Sequence, residues 1–466
     1  MNGDGRIGRG ASRRLVFLVA ALLALGGVLT ACGGPRLVEV SPPDGAQQVP
    51  ITTAIHMTFS QPMDAAGVAA RFKLEPAATG RWVVEGRGFR FQPQPALSPG
   101  VAYRAVLAAG VLSQEGRPLA GGREWHFGTR APQLLYLGRS EAGSDVRQLF
   151  VASPGDGVPR PLTDEPLGVW DYAVHPQGES IVYSVLRPDG GSDLWRMARD
   201  GGGQRLLVEC PQAACIRPAW SPDGATLAYE RRGIRRGGPD LDPRASRIWL
   251  LDLESGQERL LFDYDVPLHS PVWSPDGKRL AYVSPLMSGF EVLDLESGDL
   301  QQVGNEWGTA PVWSPDGGSL VMPELLVAGE GLVVRLFRFD LGSGQVTDLS
   351  GGEEALEAKD VSPAWSPDGE WIAFGRQFVA PGRQTPGRQL WLVRPDGSEA
   401  RALYVEPLGD LFGFVWRPDG GALAYLRSDL SEGLQARPAV SVWLYDLEQE
   451  EPTWIADGGV LPRWLP

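Results

Sequence analysis

The sequence predicts an all-β protein, and three observations support this fold class. A pentapeptide, Trp-Ser-Pro-Asp-Gly, recurs at residues 220–224, 273–277, 313–317 and 365–369. Short runs of aliphatic, aromatic and β-branched residues flank these copies, with no helical periodicity between them. The 60 glycines and 40 prolines suit a chain with many turns. We therefore expect a β-sandwich followed by a seven-bladed β-propeller, with six blades as the alternative.

Residues 1–31 predict an export signal rather than part of the fold. Four arginines precede an apolar run from Leu15 to Ala31, which is the layout of a secretory signal. The run ends in Leu-Thr-Ala followed by Cys32, which resembles the bacterial lipobox. That resemblance implies cleavage before Cys32, acylation of its thiol and amine, and a tether over residues 32–36; the alternative is an uncleaved membrane anchor. Residues 12–17 also fit a twin-arginine signal, so the general secretory and twin-arginine routes both stay open.

The net charge of the chain limits the classes of partner that we expect. The formal net charge is −14, and removal of the signal would make the chain more acidic. A nucleic-acid partner would need a basic footprint, so we expect none. No polybasic patch for anionic lipid is present either, so the acyl chains would hold the protein at the membrane.

Two further cysteines, Cys210 and Cys215, predict a disulfide. An export signal with exactly one spare pair favours oxidation, whereas a metal site would need further ligands. The loop between them is short, so the bond would contribute roughly 2 kcal/mol at best. A reduced pair is the alternative.

Residues 37–130 predict a β-sandwich. Ile55–Phe59 alternates like a half-buried strand, and five more short runs follow or precede it with glycine or proline between them. The segments SPPDGAQQVP, HMTFSQPMD, FRFQPQPALSPGVAYRAVL and WHFGT resemble the bacterial Ig-like domain of surface-layer and exported proteins. The resemblance implies a spacer or adhesion module without catalysis.

Residues 131–466 predict the propeller. Aligned on the Trp position, seven full or worn copies of the pentapeptide begin at residues 174, 220, 273, 313, 365, 416 and 464. The spacing of 40 to 53 residues is typical of propeller blades. Pro, Asp and Gly suit successive positions of a tight turn, so each copy closes a hairpin, and its Trp packs near the next blade.

The strand count predicts how the ring closes. The first run, Leu134–Leu137, is a second strand with no inner strand before it. The last run, Leu461–Trp464, is an inner strand with no second strand after it. Pairing these two in one blade leaves no open sheet edge and gives seven blades. The repeats closely resemble the TolB-like propeller repeat, a resemblance that implies six blades as the family rule, so the expected number departs from it.

The connections divide into two kinds. The turns after the inner strands are short and uniform, whereas the connections on the other face are long and irregular, which is where function usually lies. The last residues of the loops that enter the inner strands should ring the mouth of the central funnel. The expected binding residues are Trp170, Asp171, Arg217, His269, Trp307, Asp360 and Phe412.

Catalytic motifs are missing from the sequence. It contains no Gly-x-Ser-x-Gly, no His-Glu-x-x-His and no phosphate-binding loop, so neither a cofactor nor a metal is expected. We expect a monomeric, lipid-anchored, extracytoplasmic binding or scaffold protein of the bacterial cell envelope, whose propeller recognises a protein or glycan. The alternative is an extracytoplasmic enzyme acting on glycan or peptide with carboxylates in the funnel, which two carboxylates facing each other across roughly 5–10 Å would favour.

Overall fold

The fold was analysed in a computed structural model that describes residues 34–140, 144–235, 241–262, 266–285, 289–328, 331–351, 357–431 and 439–466. The chain is all-β apart from one short helix in these residues. It contains an N-terminal sandwich and a ring of four-stranded meanders. Cys32 lies outside the described residues.

The N-terminal domain consists of two four-stranded sheets that enclose one apolar core, which includes Phe59, Phe89 and Trp125. One sheet has the order β1-β3-β6-β5 and the other β2-β8-β7-β4. The strands are β1 Leu37–Ser41, β2 Ala46–Val49, β3 Ile55–Phe59, β4 Phe72–Glu75, β5 Gly80–Glu85, β6 Gly88–Pro93, β7 Ala102–Leu107 and β8 Arg123–Thr129.

The one helix, α1 (Ala65–Arg71), was not expected from the sequence. Asp64 caps it, because the Oδ2 atom of this residue accepts the Gly67 N–H at 2.7 Å. Val68 anchors the helix to the sandwich core. A helix of seven residues is too short to produce a recognisable periodic pattern.

The remaining 28 strands, β9 to β36, form meanders in which successive strands pair antiparallel. They are β9 Gln133–Arg139, β10 Arg147–Ser153, β11 Asp156–Pro161, β12 Val169–Val174, β13 Ser180–Leu186, β14 Ser192–Ala198, β15 Arg205–Val208, β16 Ala213–Trp220, β17 Thr226–Ile234, β18 Leu241–Asp252, β19 Glu258–Leu260, β20 His269–Trp273, β21 Arg279–Ser284, β22 Gly289–Asp294, β23 Leu300–Gly304, β24 Val312–Trp313, β25 Ser319–Ala328, β26 Gly331–Asp340, β27 Val346–Asp348, β28 Ala358–Trp365, β29 Ile372–Phe378, β30 Gln389–Val393, β31 Arg401–Tyr404, β32 Gly409–Trp416, β33 Ala422–Asp429, β34 Val440–Asp446, β35 Glu451–Asp457 and β36 Val460–Leu465.

The strand pairing joins the two ends of this array. Strand β36 pairs antiparallel with β9, with Trp464 opposite Leu134 and Arg463 opposite Leu135. The other groups follow the chain, from β12–β15 to β32–β35, and single parallel bridges join two pairs of them. In the described residues the strands thus form seven groups of four, and β36 is the innermost strand of the group that holds β9.

The recurring pentapeptide has two structural roles. In the turn, the Ser221 Oγ atom donates to Asp223 Oδ1 at 2.5 Å, and the Gly224 N–H donates to the Ser221 carbonyl at 2.9 Å. The other full copies repeat this pattern. The tryptophan indole N–H reaches the neighbouring group of strands: Trp273 Nε1 donates to Ala219 O at 3.0 Å. Trp220, Trp313, Trp416 and Trp464 make the corresponding bond.

The N-terminal sandwich packs directly on the face that carries these turns. Thr52 Oγ1 donates to Pro176 O at 3.0 Å, and the Ala96 N–H donates to Pro418 O at 3.1 Å. Arg130, at the junction of the domains, donates to Pro466 O at 2.8 Å. Because these prolines occupy the third position of the repeat, one end of the ring faces the sandwich. We refer to the opposite end, where the long connections lie, as the open face.

Candidate binding site at the open face

A repeated bulge shapes the inner strands at the open face. The pairing register shifts just before the Trp position in six inner strands, for example between Ile216 and Ala219. The residue three before the Trp position takes a left-handed backbone in five of these strands: Arg217 (φ 52), Ser270 (φ 56), Ser362 (φ 56), Gly413 (φ 64) and Leu461 (φ 53). A bulge re-aims the side chain it carries, and Arg217, Ser270 and Leu461 all line the central cavity.

That cavity has a volume of about 800 Å³ and runs along the inner strands. Trp170 and Arg217 line it at the open face, and Pro222 and Pro275 line it at the end near the sandwich. The same two prolines also line a cavity of about 430 Å³ between the domains, together with Arg81 and other residues of the sandwich. Since the sandwich covers that end, the open face is the free approach to the channel.

Asp171 organises the wall of the channel. One of its carboxylate oxygens accepts the Ser184 hydroxyl at 2.7 Å, and the other accepts the backbone N–H of Arg217 at 2.6 Å. Burial raises the pKa of Asp171, although these two hydrogen bonds oppose the shift. The carboxylate therefore holds the left-handed backbone of Arg217 in place.

The Arg217 side chain reaches the next group of strands. Its Nη1 atom lies 3.3 Å from His269 Nδ1, contacts Ser270 Oγ, and lies 3.7 Å from Glu230 Oε2. Glu230 is fully buried, and its Oε1 atom accepts bonds from Arg232 (2.5 Å to Nη2) and from Ser246 Oγ at 2.7 Å. The side chain of Arg217 is 46% exposed, so it borders the solvent in the channel.

His269 lies behind this cation. Burial lowers the pKa of His269 below its usual value; the nearby charge of Glu230 acts in the opposite direction, and the guanidinium groups of Arg217 and Arg232 lower it further. His269 Nδ1 is 2.9 Å from the hydroxyl of its neighbour Ser270. The imidazole is thus a neutral partner of the Arg217 guanidinium at neutral pH.

The seven expected funnel residues do not all meet. Trp170, Asp171 and Arg217 line the cavity, and His269 contacts Arg217. Trp307 lies on the loop between β23 and β24, partly exposed and away from the cavity lining. Phe412 lies beneath the Arg388 guanidinium, 4.7 Å from the ring centre to Cζ.

Asp360 was expected at the mouth of the funnel, but it does not line the channel. It is fully buried and accepts two hydrogen bonds from Arg376, at 2.8 Å from Nε and 2.6 Å from Nη2. Asp360 lies five residues before Trp365, whereas Asp171, Arg217 and Ser270 line the cavity from the position three residues before their Trp position. The loops differ in length, so the sequence did not indicate which position faces the channel.

Several residues that line the cavity were not expected from the sequence, among them Ser270, Leu461 and Arg463. Ser270 and Leu461 occupy the bulge position, and Arg463 comes one residue before Trp464. At the position directly before the Trp position, the other six repeats carry Ala or Val, so the arginine differs from them once the repeats are aligned. An alignment of the repeats could therefore have identified Arg463 from the sequence.

A smaller cavity of about 360 Å³ adjoins the site on the other side of Trp170. Leu186, Ile216 and Leu241 form its apolar wall, and Arg232 lines it as well. Trp170, which is 50% exposed, borders both cavities. An apolar group that enters the smaller cavity would contact Trp170 and lie next to the polar channel.

Exposed apolar side chains are frequent on the open face. They occur on loops and strand ends of the open face: Leu167, Trp170, Trp307, Val327, Leu332, Val405, Leu408 and Leu461. Val327, at 80% exposure, and Leu332 lie near the tip of the long β25–β26 hairpin. We refer to these eight residues as the apolar rim.

Cys210 and Cys215 lie in and after the loop between β15 and β16, and their sulfurs are bonded in the structure, with the Cα atoms 6.1 Å apart. The Cys215 carbonyl accepts a hydrogen bond from the Ser192 hydroxyl at 2.8 Å. The Ser184 hydroxyl lies 2.8 Å from the same carbonyl and 2.7 Å from Asp171 Oδ1, and its one proton is shared between these two acceptors, so this loop is tied to the wall of the channel.

The described residues contain neither a metal-binding cluster nor a membrane-spanning helix. No group of three or more His, Cys, Asp or Glu side chains in that part of the chain could hold a metal ion. No helix there is long and apolar enough to cross a membrane.

Comparisons with known proteins agree with this architecture. Residues 33–129 match the family described as bacterial Ig-like domain, and residues 234–458 match the family described as TolB beta propeller domain. An uncharacterized peptidase, YuxL of Bacillus subtilis, is 25% identical over 35% of this chain and 22% of its own length. The Tol-Pal system protein TolB of Gluconobacter oxydans is 27% identical over 58% of this chain and 55% of its own length.

Among solved structures, putative TolB from Agrobacterium tumefaciens aligns with a TM-score of 0.40 and 22% identity, covering 55% of this chain and 86% of that one. The chain spans between about a fifth and just over half of the two curated relatives named above. The N-terminal sandwich is thus similar to a bacterial Ig-like domain, and residues 234–458 of the ring are similar to a TolB propeller domain.

Proposed function

We propose that this protein is a lipid-anchored, extracytoplasmic binding protein that recognises a protein partner of the cell envelope through the open face of its propeller. The Ig-like domain would stand between the membrane and the propeller. A relative named as a Tol-Pal system protein supports a role in an envelope assembly.

The observation that carries the proposal is the difference between the two ends of the ring. The turn end is occupied by the sandwich, through bonds such as that from Ala96 to Pro418. The open face combines the apolar rim with a polar channel mouth at Arg217. Exposed apolar side chains gathered on one face of a protein are typical of protein-binding surfaces.

The path of the chain supports the placement of the anchor. Strand β3 begins at Ile55, three residues after Thr52 at the domain contact, and ends at Phe59. Phe59 pairs with Leu37, so the start of β1 lies at the end of the sandwich away from the propeller. An acylated Cys32 would then attach that end to the membrane, and the open face would point away from it.

Site-specific photo-crosslinking tests the binding face. A photoreactive phenylalanine analogue placed at Trp307 or Val327 should join the full chain to one envelope protein, identified by mass spectrometry. Trp454, exposed on the outer strand β35, is the matched control position. Adducts that form equally at Trp454, or none at the two rim positions, would contradict the proposal.

The anchor needs its own test. Changing Cys32→Ala should abolish incorporation of labelled palmitate and leave the precursor uncleaved. Processing and labelling equal to those of the wild type would contradict lipid attachment at Cys32.

An enzyme remains the second candidate, because His269 and Ser270 bring an imidazole and a hydroxyl to within 2.9 Å at the channel mouth. Peptidase YuxL among the relatives points the same way. Against it, Ser270 Oγ contacts the Arg217 guanidinium, and its left-handed backbone recurs at other bulges that carry no serine. Among the described residues lining the channel, Asp171 is the only carboxylate, so no facing pair for glycan hydrolysis is present there.

A fluorophosphonate probe decides between the two candidates. We expect no labelling of the full chain, because the Arg217 guanidinium contacts both the Ser270 hydroxyl and the His269 Nδ1 atom that would have to act as its general base. Labelling that disappears in Ser270→Ala would favour the enzyme.

A further inference from the structure

We infer that the channel takes up one carboxylate of the protein partner, held between Arg217 and Arg463. The inference rests on the proposed function and adds the chemistry of the recognised group: an acidic side chain flanked by apolar residues. Nothing in the family matches assigns such a site to this chain.

The charge inventory of the channel is the first step. The charged residues that line it in the described part of the chain are Asp171, Arg217 and Arg463. Both oxygens of Asp171 already accept hydrogen bonds from Ser184 and from the Arg217 backbone. Two arginines against one aspartate leave the lining with a net positive charge, in a chain whose net charge is −14.

Arg217 has donors to spare. Within the described residues, each side-chain contact of its guanidinium runs through Nη1, toward His269, Ser270 and Glu230. Glu230 is paired more closely with Arg232, at 2.5 Å, than with Arg217, at 3.7 Å. The Nε and Nη2 groups are left for a ligand, and a guanidinium can bind a carboxylate through two N–H groups.

Arg463 is the second cation. It projects from β36, and its Cζ atom lies 6.0 Å from the centre of the Tyr172 ring. No carboxylate oxygen of the described residues lies within 4.0 Å of its guanidinium nitrogens. Arg463, Asp171 and Arg217 come from β36, β12 and β16, the innermost strands of three successive groups in the ring.

The surroundings indicate a protein as the source of the carboxylate. The sandwich covers the far end of the channel, so the group must enter from the open face, past the apolar rim. A protein segment can cover the rim with apolar side chains while one Asp or Glu enters the channel. A small free anion would leave the rim exposed.

Selection of displayed random heptapeptides on the immobilised full chain tests the inference. Peptides enriched on the wild type should carry one Asp or Glu flanked by apolar residues. Arg217→Gln and Arg463→Gln should each weaken the best peptide at least about tenfold, the effect of losing a hydrogen bond to a charged group. Arg259→Gln is the matched control, because Arg259 is exposed on β19, the outermost strand of the group whose innermost strand carries Arg217.

The outcomes separate this inference from the proposed function. Peptides without an acidic residue that bind the open face equally well in both arginine variants would overturn the carboxylate site but not the binding face. The absence of peptides that bind the open face would overturn both. The best peptide and its Glu→Gln or Asp→Asn form are then compared in competition with glutarate and with inorganic phosphate. Displacement by either small anion at a lower concentration than by the peptide would show a free-anion site and overturn the protein source.

Discussion

Trp464 donates its indole N–H to the Val415 carbonyl at 3.1 Å, and so joins β36 to β32 of the preceding group of strands. The same residue pairs through its backbone with Leu134 on the other side. This single tryptophan therefore bonds to both neighbours at the point where the first and last strands of the array meet.

Loss of that junction should be severe. Trp464→Ala empties a buried site and removes the bond to Val415, so the free energy of unfolding should fall by about 3–5 kcal/mol. Deletion of residues 460–466 should cost more, because it exposes an edge of β9. Urea unfolding measures both, with Trp454→Ala as the exposed control. A deletion variant as stable as the wild type would argue against seven blades and for six.

The disulfide gives a second prediction. With Cys32 acylated, no thiol should react with iodoacetamide in the denatured, unreduced protein, and Cys210 and Cys215 should both react after reduction. The double variant Cys210→Ala/Cys215→Ala should lose roughly 2 kcal/mol of stability. Modification of either residue before reduction, in protein taken from its native compartment, would show that the pair is reduced there.

His269 predicts a dependence of stability on pH. Its pKa is lowered in the folded state, so below the usual value of 6.5 the unfolded chain binds the proton more readily. The folded protein should therefore lose stability as the pH falls through 6.5 and toward the lowered value. His269→Gln should remove this part of the dependence, which parallel denaturant titrations between pH 5 and pH 8 would reveal. A difference between the two proteins that does not change with pH would contradict the assignment.

The contact between the domains can be tested through Arg130. This side chain donates to the carbonyls of Gln48, Gln177 and Pro466, and so joins the sandwich to the ring. Arg130→Met should separate the melting of the two domains and lower the stability by about 1.5–3 kcal/mol. Arg123→Met, at an exposed position on β8, is the control. A single unchanged transition in Arg130→Met would mean that the contact contributes little.

The repeat explains why much of the fold was predictable. Pro, Asp and Gly have strong local preferences in turns, and the indole N–H of a buried tryptophan needs an acceptor, so one motif indicated both the hairpins and the contacts between groups of strands. The pairing of Leu134–Leu137 with the last strand followed from the need to leave no open edge. By contrast, α1 was missed because its seven residues are held by Asp64 and by the burial of Val68.

The sequence by itself determined the two domains' architecture, the turns and the tryptophan contacts, because these depend on local conformation and on a regular spacing. Tertiary structure decided which side chains reach the channel. A bulge reverses the direction of a side chain without any fixed sequence signature, so Arg217 and Ser270 line the cavity while Asp360 is buried against Arg376. It also decided that the sandwich covers one end of the ring, because hydrogen bonds to proline carbonyls such as that of Pro418 depend on how two surfaces meet, which neither surface encodes alone.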